Sequence, residues 1–186
     1  MAGEVRGNMV EGAALLLAKQ GLQATSFSEV LKATGAPRGS IYHHFPEGKD
    51  QLVDAALDLV AERMLEGLAQ QRGESAEDIT LYVMQAWRSV LERSGFAAGC
   101  AVLAVTVAAD SPELLQRAAG IFRAWRVRLG ELYVQAGFEP ARAARFAASV
   151  IAATEGAVVM CRAEQSLEPL ELVGETLLAQ AKAPTG

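Results

Sequence analysis

The only two histidines of the chain, His43 and His44, are adjacent in the stretch GSIYHHF. Neighbouring residues of a helix point about 100° apart, so these two imidazoles cannot bind one metal ion as a pair spaced by four residues could. No Asp, Glu or third His lies within one turn on their N-terminal side to complete a metal site or a catalytic set. We therefore expect neither metal binding nor catalysis from this pair, whose role depends on the helix that carries it.

The two cysteines, Cys100 and Cys161, lie in apolar segments and form no CxxC pair. This pattern favours buried free thiols over a disulfide or a metal site. Cys100 could act as the nucleophile of a small helical enzyme, but no histidine follows His44 to serve as its base. The sequence therefore predicts that the chain is not an enzyme and that it needs no metal and no cofactor.

Composition predicts a helical protein. Of the 186 residues, 51% are hydrophobic but only 6% are aromatic, and the formal net charge is -5. Much Ala, Leu and Val with few rings favours helices over strands. The negative charge argues against indiscriminate nucleic-acid binding, and basic and acidic side chains balance over residues 1–50, so any positive patch must be local. No signal peptide is apparent and no apolar stretch reaches the about 20 residues of a membrane helix, which predicts a cytoplasmic protein without a membrane partner.

Apolar residues recur with helical spacing along the whole chain, without strand alternation or an internal repeat. The first amphipathic helix should stop at Gly21, and a short helix should begin after Ser26, with Glu29 in the capping-box position. The tail KAPTG is expected to be disordered. The pattern predicts an all-α fold of about nine helices, the later ones over about residues 37–45, 49–72, 76–93, 101–109, 112–136, 140–163 and 169–181.

The two short helices on either side of Gly35 match a helix-turn-helix. The turn must bend sharply, and glycine tolerates a positive φ there at little cost. Apolar Phe27, Val30 and Leu31 share one face of the first helix, and Ile41 should pack the second helix back against it. In such a motif the second helix lies in the major groove of DNA, with its N-terminal residues at the base edges.

The second helix of this motif carries side chains suited to a groove. Arg38 can reach guanine or phosphate, Ser40 can donate or accept, and Tyr42 offers a hydroxyl and a ring for thymine methyls, while Gly39 allows a close approach. One imidazole of His43 and His44 is expected to hydrogen-bond a DNA phosphate while the other packs at the helix end, or both merely cap the helix. Lys49 opens the following helix and is expected to touch the same phosphate backbone. The predicted DNA contacts are Thr25, Ser26, Ala36, Pro37, Arg38, Gly39, Ser40, Tyr42, His43, His44 and Lys49.

The stretch TSFSEVLKATGAPRGSIYHHFPEGKDQL resembles the DNA-binding signature of the TetR family of bacterial transcriptional regulators, over about residues 5–57. The extra residue in FPEGK and the pair Gly99–Cys100 resemble the LmrA/YxaF-like subgroup, and the C-terminal part resembles that subgroup more loosely. Leu31 departs from the alanine common in the family, which implies a slightly different position for the recognition helix. The resemblance implies a three-helix DNA-binding domain over residues 1–48 and a ligand-binding and dimerisation domain over residues 49–186.

By this resemblance, helices 4 to 7 enclose a ligand pocket and helices 8 and 9 pair two subunits. The candidate ligand-binding residues are Met64, Trp87, Phe122, Trp125 and Arg126, with Gln85 and Tyr133 as further polar groups, although each is as easily ordinary core or surface. Few charged residues lie along these apolar faces, which favours a lipophilic ligand. A packing stripe predicts the dimer interface, although a buried core helix has the same pattern; it consists of Phe146, Val150, Ala153, Thr154, Ala157, Leu170, Val173 and Leu177.

The sequence thus predicts a homodimeric repressor that leaves a palindromic operator in double-stranded DNA when a lipophilic small-molecule effector binds. One alternative is an activator or a constitutive DNA binder of the same fold that has no ligand. Another is a partner-binding helical module whose helix-turn-helix is vestigial. The intact face from Arg38 to Tyr42 favours DNA binding.

Overall fold

The computed structural model describes residues 2–182 of the chain, which form nine helices and no strand. The predicted all-α fold class is confirmed, and each helix ends within a few residues of its predicted bounds. Of the tail KAPTG, the residues from Ala183 on lie outside the described part. The helices are α1 Ala2–Ala24, α2 Phe27–Thr34, α3 Arg38–His44, α4 Lys49–Ala69, α5 Ala76–Ser94, α6 Ala101–Ala108, α7 Pro112–Gln135, α8 Pro140–Glu164 and α9 Glu168–Lys182.

The helices group into two compact units. The N-terminal unit contains the described residues up to Arg63 together with Cys100–Ile121. The C-terminal unit contains Met64–Gly99 and the described residues from Phe122 on. These units do not divide at residue 48, where the sequence places its domain boundary, because the first part of α4 and all of α6 belong with the N-terminal helices.

The end of α1 fixes where the next helix starts. Gly21 has φ 79° and ψ 178°, which interrupts α1 as predicted and favours glycine at this position. The turn that follows is closed by Thr25, whose hydroxyl donates to the carbonyl oxygen of Gly21 at 2.9 Å and whose N–H donates to that of Leu22 at 3.2 Å. The backbone therefore enters α2 in a defined direction.

The caps of α2 are those predicted from the sequence. The Oγ of Ser26 accepts from the N–H of Glu29 at 3.2 Å, and Gly35 has φ 67° with its N–H donating to the carbonyl oxygen of Leu31 at 2.9 Å. Val30 of α2 and Ile41 of α3 are fully buried. These contacts hold α2 and α3 as a helix-turn-helix.

In the C-terminal unit, α5, α8 and α9 pack against one another. Helix α8 is long and apolar enough to cross a membrane. Half of its most apolar 18-residue stretch is buried inside the protein, as in the core helix of a globular domain. Cys161 of α8 is buried, as is Cys100 of the N-terminal unit, whose Sγ accepts from the N–H of Leu103 at 3.4 Å. The prediction of buried thiols is confirmed, and burial raises the pKa of the Cys161 thiol.

Candidate functional site

Helix α3 exposes one face and buries the other. It begins after Pro37, which is extended at φ -63° and ψ 136°, and Ile41 and Phe45 are fully buried on its inner side. Ser40 and His44 are half-buried at the edges. The outer side, here called the recognition face, consists of Arg38, Gly39, Tyr42 and His43, all of them exposed.

The side chains of the recognition face have defined neighbours. The Tyr42 ring is 67% exposed and meets the Phe27 ring edge to face, with centroids 5.6 Å apart. The rings of His43 and His44 are also in edge contact, at 5.3 Å. Ser40 donates from its hydroxyl to the carbonyl oxygen of Pro37 at 2.6 Å, which fixes the first turn of α3. The histidine pair thus lies at the end of a helix, and among residues 2–182 no cluster of side chains is suited to hold a metal ion.

Two of the predicted DNA contacts have hydrogen-bond partners within the protein. Thr25 is only 1% exposed and its hydroxyl is bonded to Gly21, so its side chain cannot reach DNA. The Nζ of Lys49 donates to the carbonyl oxygen of Leu22 at 2.6 Å, so its ammonium is bonded to the turn after α1.

Two further predicted contacts, Ser26 and Ala36, are half-buried at the two ends of α2. Ser26 caps the helix, and the N–H of Ala36 donates to the Oγ of Thr34 at 3.4 Å.

A cation beside α3 was missed from the sequence. The guanidinium carbon of Arg6, an exposed residue of α1, lies 5.3 Å from the centroid of the Phe45 ring. Such a cation–π contact holds a positive charge at the end of the recognition helix. The sequence gives no direct signal for it, because Arg6 is far from Phe45 along the chain and the pairing depends on how α1 crosses α3.

The predicted effector residues divide into buried and exposed members. Trp125 is 3% exposed and meets the half-buried Phe122 edge to face at 5.6 Å. Met64 and Trp87 are half-buried, whereas Arg126 is exposed and thus belongs to the surface and not to a buried pocket.

The Tyr133 hydroxyl is satisfied within the core. It lies 2.8 Å from the Oγ of Thr80, and its ring packs on Phe146 at 4.8 Å. Burial raises the pKa of Tyr133 strongly. The second further candidate, Gln85, is exposed. Tyr133 is therefore a core residue and not a polar group presented to a ligand.

Most of the predicted dimer stripe is buried within the chain. Six of its side chains have little exposed surface: Phe146, Val150, Thr154, Ala157, Leu170 and Leu177. Ala153 and Val173 are half-buried. The opposite side of α8, here called the outer face, is exposed and consists of Ser149, Ala152, Gly156, Val159, Met160 and Ala163.

Two adjoining cavities lie in the N-terminal unit, with volumes of about 560 and 400 Å³. They share Asp50, Ser111 and Leu114, and most of the other lining side chains are polar or acidic. None of the predicted effector residues lines either of them. A lining of this kind does not suit a lipophilic molecule.

Comparison with known proteins gives the family. Residues 10–56 match the model of the bacterial regulatory proteins of the tetR family, and residues 76–176 match that of the C-terminal domain of LmrA/YxaF-like transcriptional regulators. The HTH-type transcriptional regulator Rv0196 of Mycobacterium tuberculosis is 34% identical over 92% of this chain and 91% of its own. The crystal structure of a TetR transcriptional regulator from Chloroflexus aurantiacus is 32% identical with a TM-score of 0.77, covering 96% of this chain and 94% of that one. The chain therefore belongs to the TetR family of DNA-binding transcriptional regulators and has a C-terminal domain of the LmrA/YxaF-like type.

Proposed function

We propose that the chain is a homodimeric repressor that holds a two-fold symmetric operator and releases it when a lipophilic effector binds. The observation that carries the proposal is the recognition face of α3, where Arg38, Gly39 and Tyr42 are exposed over a helix whose other side is buried. Glycine permits close approach to the groove, arginine pairs with guanine, and tyrosine can contact a thymine methyl.

The outer face of α8 supports the homodimer. Small residues such as Ala152 and Gly156 allow helices to approach closely, and Val159 and Met160 would expose apolar surface to water in a monomer. Leu172 of α9 is also exposed, at 58%. One helix-turn-helix touches too few bases for useful specificity, whereas a dimer sets two recognition helices about 34 Å apart, one turn of B-DNA.

The aromatic pair Phe122 and Trp125 supports a lipophilic effector, together with half-buried Met64 and Trp87 in the same unit. Helix α4 begins in the N-terminal unit and ends in the C-terminal one. An effector that favours a second arrangement of the C-terminal unit would move the start of α4 and change the spacing of the two recognition helices. The reduction in operator affinity can be no larger than the effector's differential affinity for the two arrangements.

The deciding experiment is selection of bound sequences from random duplex DNA at physiological salt. We expect the wild type to enrich a two-fold symmetric site and Tyr42→Ala to enrich it far less while remaining a dimer. Val107→Ala is the matched control, because Val107 is a 76% exposed residue of α6 in the same unit. Enrichment of no site by the wild type, or equal enrichment of the same site by Tyr42→Ala, would overturn the proposal.

The selected duplex then serves as the probe for the effector. Compounds of a lipophilic library that release it should quench the fluorescence of Trp125. Trp125→Phe should keep operator affinity, lose the quenching and respond more weakly to the compound. If a compound releases the duplex equally from the wild type and from Trp125→Phe, without any quenching, the effector does not bind beside Trp125.

A further inference from the structure

Tyr42 is exposed, yet its ring is not isolated. A side chain that is 67% exposed ordinarily samples several rotamers, and ordering it on binding costs free energy. Here the Phe27 ring meets the Tyr42 ring at 5.6 Å and 79°, the favoured edge-to-face arrangement. The contact therefore restricts the orientation of Tyr42 before any DNA is present.

Phe27 is itself held by the backbone on its N-terminal side. It is the first residue of α2, directly after the N-cap Ser26, whose Oγ accepts from Glu29. One residue earlier, Thr25 is buried and bonded to Gly21. Because these bonds fix the backbone at the start of α2, the Phe27 ring can move only by rotation of its own side chain.

Charge is balanced in the part of the chain that contains the helix-turn-helix. Basic and acidic residues balance over residues 1–50, and the ammonium of Lys49 is bonded to the Leu22 carbonyl. Attraction to phosphates, which acts on any sequence, is correspondingly small. Discrimination must therefore depend on how well the groups at the base edges are oriented.

We propose that Phe27 is a positioning residue for DNA recognition, which holds the ring and hydroxyl of Tyr42 in the orientation that reads the operator. This inference rests on the proposed role of Tyr42 in the recognition face. Phe27 raises operator affinity without touching a base, because it reduces the ordering that Tyr42 must undergo on binding.

The test is a double-mutant cycle measured by fluorescence anisotropy, with the selected operator and with a shuffled duplex of the same composition. Phe27→Leu should weaken operator binding by about 3- to 10-fold, the range of an aromatic pair, and change binding to the shuffled duplex by less than about 2-fold. In the Tyr42→Ala background, Phe27→Leu should have no further effect. Phe27→Tyr keeps the ring edge and should keep operator affinity.

The outcomes separate this inference from the proposed function. Equal weakening on both duplexes, or the same factor with and without Tyr42, would show that Phe27 only stabilises the fold. Full affinity in Phe27→Leu together with loss in Tyr42→Ala would overturn the role of Phe27 alone. Full affinity in Tyr42→Ala would overturn the proposed recognition face. Thermal unfolding checks each variant, and Phe27→Met replaces Phe27→Leu if that variant unfolds at the assay temperature.

Discussion

The Nζ of Lys49 lies 2.6 Å from the carbonyl oxygen of Leu22 and donates a hydrogen bond to it. Lys49 is the first residue of α4, and Leu22 follows the kink at Gly21, so this bond ties the start of α4 to the end of α1. The next residue, Gln23, donates from its side-chain amide to the carbonyl oxygen of Ala108 at the end of α6, at 3.2 Å. The end of α1 is thus bonded to both helices within the N-terminal unit.

The hydrogen bond from Lys49 predicts that this side chain stabilises the fold and does not neutralise a DNA phosphate. Lys49→Met keeps the aliphatic stem and should lower the free energy of unfolding by about 1 kcal/mol. It should weaken operator binding without changing the slope of log affinity against log salt. Arg38→Gln should reduce the magnitude of that slope by about 0.9 for each phosphate that the arginine neutralises. Anisotropy titrations over a salt series measure the slope for each variant. An equal change of slope in the two variants would show that Lys49 contacts the phosphate backbone.

The helix caps of the helix-turn-helix could be predicted from sequence, but its hydrogen bonds to the turn at the end of α1 could not. Ser26 and Gly35 cap α2 through atoms a few residues away, and such caps depend on residue type and spacing alone. The partners of the Thr25 hydroxyl and the Lys49 ammonium could not be predicted from sequence. Their partners are carbonyl oxygens freed where α1 is interrupted at Gly21, and only the three-dimensional path of the turn brings them together.

Helix α8 shows why periodicity alone cannot choose an interface. Val150 and Ala157 repeat at helical spacing on the buried side, while Ala152, Gly156 and Val159 repeat at the same spacing on the outer face. Both stripes are apolar, so the sequence pattern alone does not show which of them is buried in the core and which is exposed. The packing of α5 and α9 decides which stripe becomes core.

Close packing of α1 on α2 requires a glycine at position 12. A Cβ there would lie 2.5 Å from the Cγ2 of Thr34. Gly12→Ala should therefore destabilise the protein by about 1 kcal/mol, because overpacking outweighs the better helix propensity of alanine. Thr34→Ser removes that methyl and keeps the hydroxyl that donates to the Val30 carbonyl at 2.8 Å. Urea unfolding should show the double variant to be more stable than Gly12→Ala alone; an additive loss would contradict the clash.

The hydrogen bond between Thr80 and Tyr133 predicts that removing one partner costs more stability than removing the other. The Oγ of Thr80 also lies 2.7 Å from the carbonyl oxygen of Ala76, to which it donates, so Tyr133 is the donor to Thr80. Thr80→Val would leave a buried hydroxyl without an acceptor and cost about 1–3 kcal/mol, whereas Tyr133→Phe should cost about 0.5–1.5 kcal/mol. Thr106→Val, at an exposed threonine bonded within its own helix, is the control and should be nearly neutral in urea unfolding. A larger loss for Tyr133→Phe would reverse the donor assignment.

Burial of Tyr133 also predicts a loss of stability at alkaline pH. Burial raises the pKa of this phenol above its ordinary value of about 10. The stabilisation is therefore complete below about pH 10 and is lost as the pH rises above that value, because the unfolded chain releases the proton while the folded chain keeps it. Urea unfolding at about pH 8 and pH 11 should show the wild type losing more stability than Tyr133→Phe. An equal loss would mean that the phenol ionises in the folded protein.

A charged side chain introduced on the outer face of α8 should separate the two subunits. Val159 is 51% exposed on this face, and Val127 of α7 in the same unit is 56% exposed and lies outside it. Val159→Glu should weaken dimerisation by about 100-fold or more, because an isologous interface would bury two unpaired carboxylates. Val127→Glu is the matched control and should leave the dimer intact. Sedimentation velocity over a dilution series measures both, and circular dichroism should show unchanged helix content. Dissociation by Val127→Glu alone would place the interface on α7, whereas a monomeric wild type would remove the basis for a two-fold symmetric operator.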